Sequence, residues 1–112
     1  MSHTSVSTYI NQVLKARIDG NPSRAKTIGG VFEFVLEGDD GGIWTLDLNQ
    51  PTLVDGKAEK MNCRIRMTNA DFLGLVNGTL GAMDAFKTGK LKVEGNLAMS
   101  LKLQVLLDEK GW

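Results

Sequence analysis

Residues 5 to 19, SVSTYINQVLKARID, place apolar side chains at Val6, Tyr9, Ile10, Val13, Leu14 and Ile18. Steps of three and four put them on one stripe of a helix, and Gly20 supplies its stop. The next stretch, NPSRAKTIGG, is rich in turn formers and reads as a linker. At Val31 the period drops to two. In VFEFVLEG, Phe32, Phe34 and Leu36 share one face and Glu33 and Glu37 the other; in IWTLDLN, Trp44, Leu46 and Leu48 alternate with Thr45, Asp47 and Asn49. With GDDGG between them the two runs predict a hairpin.

Pro51 and Asp55-Gly56 bracket a short run that predicts a brief edge strand. KMNCRIRM then sets Met61, Cys63, Ile65 and Met67 against Asn62, Arg64 and Arg66, so three or four antiparallel strands are expected. Their outward rows carry Glu33, Glu37 and Asp47 on the first two strands and Arg64 and Arg66 on the last. Cross-strand ion pairs account for both arginines; holding a ligand carboxylate or phosphate is the functional alternative.

After Met67 the helical period returns. Thr68, with Asp71 three residues on, starts a short helix carrying Phe72, Leu75 and Val76, which Asn77-Gly78 ends. A second helical piece repeats Leu80, Met83 and Phe86 at threes before Gly89. KLKVEG predicts the last strand, with Leu91 and Val93 inward, and Asn96 caps a final helix through LAMSLKLQVLLDEKG. At 100° per residue this helix carries two apolar sectors: Leu97, Ala98, Leu101 and Val105 in one, and Met99, Leu103, Leu106 and Leu107 in the other. A surface helix needs only one. The second is accounted for by a central core position or a homodimer seam, or by an interior space that takes a ligand, and Met61, Met67, Met83 and Met99 are adaptable liners for such a space. Periodicity alone leaves these open.

The length of 112 residues fits a single domain, and 42% hydrophobic residues are enough for a core. Thirteen basic side chains balance thirteen acidic ones, so no field of one sign draws nucleic acid. No run approaches the roughly 20 apolar residues of a membrane span, and MSHTSVSTYI lacks the pattern of a signal peptide; a cytoplasmic setting is expected. Cys63, the only cysteine, allows no internal disulfide and reads as a small buried residue.

Catalytic chemistry finds little purchase. His3, the only histidine, lies near an end expected to be loose, and GDDGG lacks the spaced ligands of a calcium loop. Phosphate-loop, dinucleotide and nucleophile-elbow motifs are all missing, so a non-enzymatic chain with no cofactor and no metal is expected. Lys87, Lys90, Lys92 and Lys102 cluster in sequence; they read as solvated surface, or as contacts for CoA phosphates or an anionic membrane.

VFEFVLEG…GGIWTLDL, RIRMTNADFLGLVNGTLGAMDAF and KTGKLKVEGNLAMSLKL together resemble the sterol carrier protein 2 family of lipid-binding domains, over about residues 28 to 107. The last stretch is similar to the family's G-K-L-x-I-x-G-D signature, with Asn96 where Asp is usual, which keeps a helix cap and removes a charge. The resemblance implies an α+β fold, a five-stranded mostly antiparallel sheet covered by helices, with an apolar tunnel for fatty acid, fatty acyl-CoA or sterol. The tunnel candidates it implies are Phe34, Trp44, Leu46 and Ile65 on strands, Phe72, Leu75, Met83 and Phe86 on the short helices, and Met99, Leu103 and Leu106 on the final one. Transient membrane contact and a homodimer are further expectations. DEKGW at the end lacks the Ser-Lys-Leu-like peroxisomal address of some members, again favouring the cytoplasm, and Trp112 reads as a tail.

Overall fold

The computed structural model describes residues 5–107; the expectations for His3, Trp112 and the last residues lie outside them. Ser5 opens the first helix by accepting from the Thr8 amide at 3.3 Å. Helix α1 (Val6–Thr8) passes through a π-helical turn (Tyr9–Leu14) into α2 (Lys15–Gly20). In that turn the Lys15 amide reaches back to Ile10, one residue further than in an α-helix. The expected stripe is the buried one: Val6, Tyr9, Ile10, Leu14 and Ile18 are all 1% exposed or less. Asp40, in the turn of the GDDGG stretch, anchors the start of α1, accepting from the Val6 amide at 2.6 Å and from the hydroxyls of Ser5 and Ser7 at 2.9 and 2.6 Å. The Ser7 and Ser5 hydroxyls, with the Ser7 and Val6 amides, hold its carboxyl below the usual carboxylate range.

The expected linker is instead partly helical, as α3 (Pro22–Ile28). Asn21 caps it by accepting from the Arg24 amide at 3.2 Å, and Pro22 occupies the first turn, where its missing N–H costs nothing. Ala25 and Ile28 give it a buried side.

Strands β1 (Val31–Glu37), β2 (Gly42–Asp47), β3 (Thr52–Asp55), β4 (Cys63–Thr68) and β5 (Lys92–Gly95) form one sheet of order β3-β2-β1-β4-β5. The β1–β2 hairpin pairs Phe34 with Trp44 and Phe32 with Leu46, as the alternation predicts. One pairing differs: β4 lies parallel to β1, Phe32 opposite Cys63, so the sheet is mostly rather than wholly antiparallel. Alternation fixes which face a residue takes but not which neighbour its strand takes. The inward rows form one continuous core, in which Phe72 of α4 (Asn69–Asn77) meets both Phe34 and Tyr9 edge to face, with centroids 6.0 Å apart in each pair. Thr68 caps α4 by accepting from the Asp71 amide, and Gly78 closes it in the left-handed conformation at φ 79°.

On the outward face Glu33 is 1% exposed. Its carboxylate accepts from the Ala58 amide at 3.0 Å and pairs with Arg64, which also reaches Glu94 at 2.7 Å. Burial pushes the Glu33 carboxyl up, but hydrogen bonds from Arg64 and Ala58 and the charges of Arg64 and Lys57 outweigh it, leaving the pKa lowered. The same contacts raise Arg64, its bond to Glu33 foremost. The ion-pair expectation thus holds for Arg64. Arg66 has no carboxylate partner among the described residues and stands opposite Lys92. Cys63 is fully buried, and desolvation pushes its thiol up to about 11.

The last helix is not continuous. It divides into α6 (Leu97–Ser100) and α7 (Leu103–Leu107), and Lys102 at the break donates from Nζ to the Ile28 carbonyl at 2.5 Å, fastening the break to the end of α3. Arg17 donates to the Tyr9 hydroxyl at 3.0 Å and to the Leu106 carbonyl at 2.9 Å, tying α7 to the first helices.

Candidate functional site

The two sectors of the C-terminal segment have different fates. Met99, Leu103, Leu106 and Leu107 are at most 8% exposed and close the core, whereas Leu97 and Leu101 stand 53% and 60% exposed. The backbone sets where this segment begins: β5 ends at Gly95, and Asn96 caps α6 by accepting from the Ala98 amide at 3.0 Å. Gly95 is required there. At φ 91° a Cβ would lie 2.5 Å from the Asn62 carbonyl oxygen.

Facing α6 is α5 (Ala82–Lys87), held to the interior by fully buried Ala85 but presenting Met83 and Phe86 at 51% and 41% exposure. Between them lies an open pocket of about 550 Å³. Ala82, Met83 and Phe86 form one wall, Leu97, Ala98, Ser100, Leu101 and Gln104 the other, and buried Leu91 lies between. This volume falls within the roughly 300–1,000 Å³ usual for small-molecule sites.

Its chemistry is plain. No lining side chain titrates near neutral pH, so the walls offer no general acid or base, and none that would activate the Ser100 hydroxyl as a nucleophile. The Ser100 hydroxyl donates to the Leu97 carbonyl at 2.6 Å, and the Gln104 side-chain Oε1 accepts from the Ala82 amide at 3.3 Å, a polar link between the walls. Among the described residues no group of His, Cys, Asp and Glu is arranged to hold a metal ion. Such a pocket can take up an apolar body and exclude water from it.

Of the eleven residues singled out from the sequence, the structure brings Met83 and Phe86 to this pocket. Phe34, Trp44, Leu46, Ile65, Phe72, Leu75, Met99, Leu103 and Leu106 lie in the core, none more than 8% exposed. The reason is packing: the inward rows of the sheet are covered by helices and interlock ring against ring. Leu91, Leu97, Ala98, Leu101 and Gln104 line the pocket without having been singled out. Their signal was present as the sector containing Leu97, Ala98 and Leu101; the pattern gave two sectors but not which one the fold would leave open. The lysine cluster also divides, for Lys102 turns inward to Ile28 while Lys87, Lys90 and Lys92 remain exposed. No helix among the described residues is long and apolar enough to cross a membrane.

The sequence model of the SCP-2 sterol transfer family matches residues 10–108. Human sterol carrier protein 2 is 35% identical over 91 residues, which cover 77% of this chain but 17% of that protein. Non-specific lipid-transfer protein-like 1 of Caenorhabditis elegans is 31% identical over 108 residues and matches nearly end to end, 93% of this chain and 92% of the other. Among solved structures, that of palmitated SCP2L2 from Aedes aegypti superposes with a TM-score of 0.75 at 27% identity, covering 93% of this chain and 95% of that one. With the family's pattern running through helices, sheet and pocket walls alike, the chain belongs to the SCP-2 sterol transfer family.

Proposed function

We propose that the chain is a non-enzymatic lipid carrier that takes a fatty acid, fatty acyl-CoA or sterol-like molecule into the pocket between α5 and α6. The observation that carries this reading is the cluster of Met83, Phe86, Leu97 and Leu101, four large apolar side chains that stay exposed around an apolar cavity of about 550 Å³. A folded chain gains by covering such surface, at about 25 cal/mol per Å². A lipid chain covers it without any bond being made or broken. The names of two similar proteins support the same reading: the nematode relative is a lipid-transfer protein-like chain, and the mosquito structure carries palmitate. In this reading Met83 and Phe86 touch the ligand. A tunnel reaching Phe72, Leu75, Met99 or Leu103 requires the core side of the pocket to part as the ligand enters. The setting is cytoplasmic, and the chain acts as one domain.

Native mass spectrometry of protein purified without detergent, followed by titration with fatty acid and acyl-CoA, tests the proposal. A bound mass and saturable one-to-one uptake are expected; absence of both overturns it. The exposure of Leu97 and Leu101 also fits a second reading, an interaction module whose apolar face packs on a second copy. Sedimentation equilibrium separates the two, since a dimer seam gives association that strengthens with concentration and is competed by lipid.

A further inference from the structure

Strands β3 and β5 are the two edges of the sheet. Just past β5 the Asn96 amide bonds to the Asn62 carbonyl at 2.7 Å, and the strand continues in that register with Glu94 opposite Arg64 and Lys92 opposite Arg66. In an antiparallel ladder every second residue points its amide and carbonyl at the neighbour, so Glu94 and Lys92 turn theirs to β4 and Val93 turns its own outward. Among the described residues no loop, turn or cap bonds to either group of Val93. Lys92, Glu94 and Gly95 are exposed and Val93 is half-buried, so this edge is open.

An open edge is a template for another strand, and charge commonly blunts it. The charges on β5 are of both signs and symmetrically placed. Lys92 and Glu94 lie one residue either side of Val93, on the outer face of the sheet with Arg66 and Arg64. When a second β5 runs antiparallel with Val93 opposite Val93, each Lys92 meets the partner's Glu94. Registers centred on Lys92 or on Glu94 set like charges opposite one another and are disfavoured. The same pairing relieves a misfit within the chain. Arg64 is matched by Glu94 at 2.7 Å, whereas Arg66 stands opposite Lys92 and has no carboxylate partner among the described residues. Glu94 remains 54% exposed with Arg64 bound, which leaves it room for a second cation.

We infer that the chain forms a two-fold dimer by antiparallel pairing of its β5 edges about Val93, joining two five-stranded sheets into one continuous sheet. The amide and carbonyl of each Val93 exchange hydrogen bonds with the partner's Val93, and Lys92 pairs with the partner's Glu94 on both sides of the axis. Across the seam the outer row runs Arg66, Lys92, the partner's Glu94 and the partner's Arg64, so the two adjacent cations gain a carboxylate. This seam differs from an association through the apolar walls. None of Lys92 to Gly95 lines the pocket, so both pockets stay open and the dimer holds whether or not they take lipid. The β3 edge is a poorer candidate, because Asp55 has no cation on its strand to meet and Pro51 lacks the amide that would extend a ladder.

Sedimentation equilibrium of the full chain and two charge variants tests the inference. The parent should show a monomer–dimer equilibrium that saturating palmitate leaves unchanged. K92E sets like charges at both crossings and should weaken association about tenfold or more, since the axis repeats each contact. Within the chain the same change puts a carboxylate opposite Arg66, so the loss cannot come from a weakened fold. E94K should weaken association as much. An equimolar mixture of K92E and E94K should dimerise again, because every cation then meets a carboxylate across the seam. In native hydrogen exchange the Val93 amide should slow as concentration rises. The inference is overturned if the parent stays monomeric at about 1 mM, if either variant alone associates as well as the parent, or if the mixture does not recover. It is equally overturned if palmitate dissociates the dimer, which would put the seam at the apolar walls. K92E should still take up fatty acid as the parent does, so loss of the dimer and loss of carriage are read separately.

Discussion

Leu103 and Leu101 are two residues apart on one short segment, yet the first is fully buried and the second is 60% exposed. The contrast holds for the regions they belong to. Around Leu103, the inward rows of the sheet and the faces of α1, α2 and α4 interlock, with Phe34, Phe72 and Tyr9 meeting edge to face. Around Leu101, the chain is made of two helices of four and six residues, with Gln104 to Ala82 as a polar link between the pocket walls. A packed interior pays heavily for any lost methylene, because its neighbours cannot close the gap. An open apolar pocket has no such neighbours to lose. Stability therefore belongs to the first region and ligand capacity to the second.

Phe34→Ala is the strongest test of that division. It should cost about 3–5 kcal/mol in urea unfolding, since Phe34 is fully buried between Phe32 and Phe72. If the variant instead keeps its stability and loses lipid uptake, core and pocket have been assigned the wrong way round. Glu33→Ala comes next, at about 2 kcal/mol, because it leaves the Ala58 amide and one face of Arg64 without their acceptor. The native carboxyl lies below its usual value, so its contribution is present above pH of about 4.3 and is lost as pH falls through the lower native pKa. Acid titration of Glu33→Gln should accordingly show a shallower fall in stability than the parent.

In the open region the signs reverse. Phe86→Ala should change unfolding by no more than about 0.5 kcal/mol yet weaken fatty acid binding about tenfold, as read by displacement of a fluorescent fatty acid. An unfolding cost of several kcal/mol would mean that the pocket wall belongs to the core. The smallest effect is expected at Cys63. With its thiol pushed up to about 11 by burial, it stays protonated at neutral pH, and a maleimide should leave it unlabelled until denaturant is added. Labelling of the native chain would show the β4 side opening more readily than the packing implies.

The architecture was largely legible because most of it obeys two simple periods. Phe32, Phe34 and Leu36 at steps of two, and Val6, Ile10 and Leu14 at steps of three and four, declare their faces before any contact is known. Thr68 and Asn96 declare their helices by capping chemistry. What escaped depends on long-range choices. The parallel neighbour of β1 leaves no mark on either strand. Helix α3 was hidden because Asn21 and Pro22, read as turn formers, are equally the cap and first residue of a helix. At the Leu101–Lys102 break the lysine reaches Ile28, a partner far away in sequence that no local pattern announces. The pocket was half legible: the surplus of apolar residues announced that something had to cover them, while the sector left bare was decided by how α5 and α6 settle against the sheet.

The central position of β1 has a consequence for the chain as it is made. One edge of β1 finds β2 within a hairpin, so it is occupied as soon as Gly42–Asp47 is available. The other edge waits for β4, and β4 in turn needs β5 to cover its own far side. During that interval a ribosome-bound or newly released chain shows an unpaired strand edge beside Phe32 and Phe34, which is the surface most prone to pair with another chain. Substitutions that weaken β4 should therefore first lower the yield of correctly folded protein, and the molecules that do fold should still take up lipid normally.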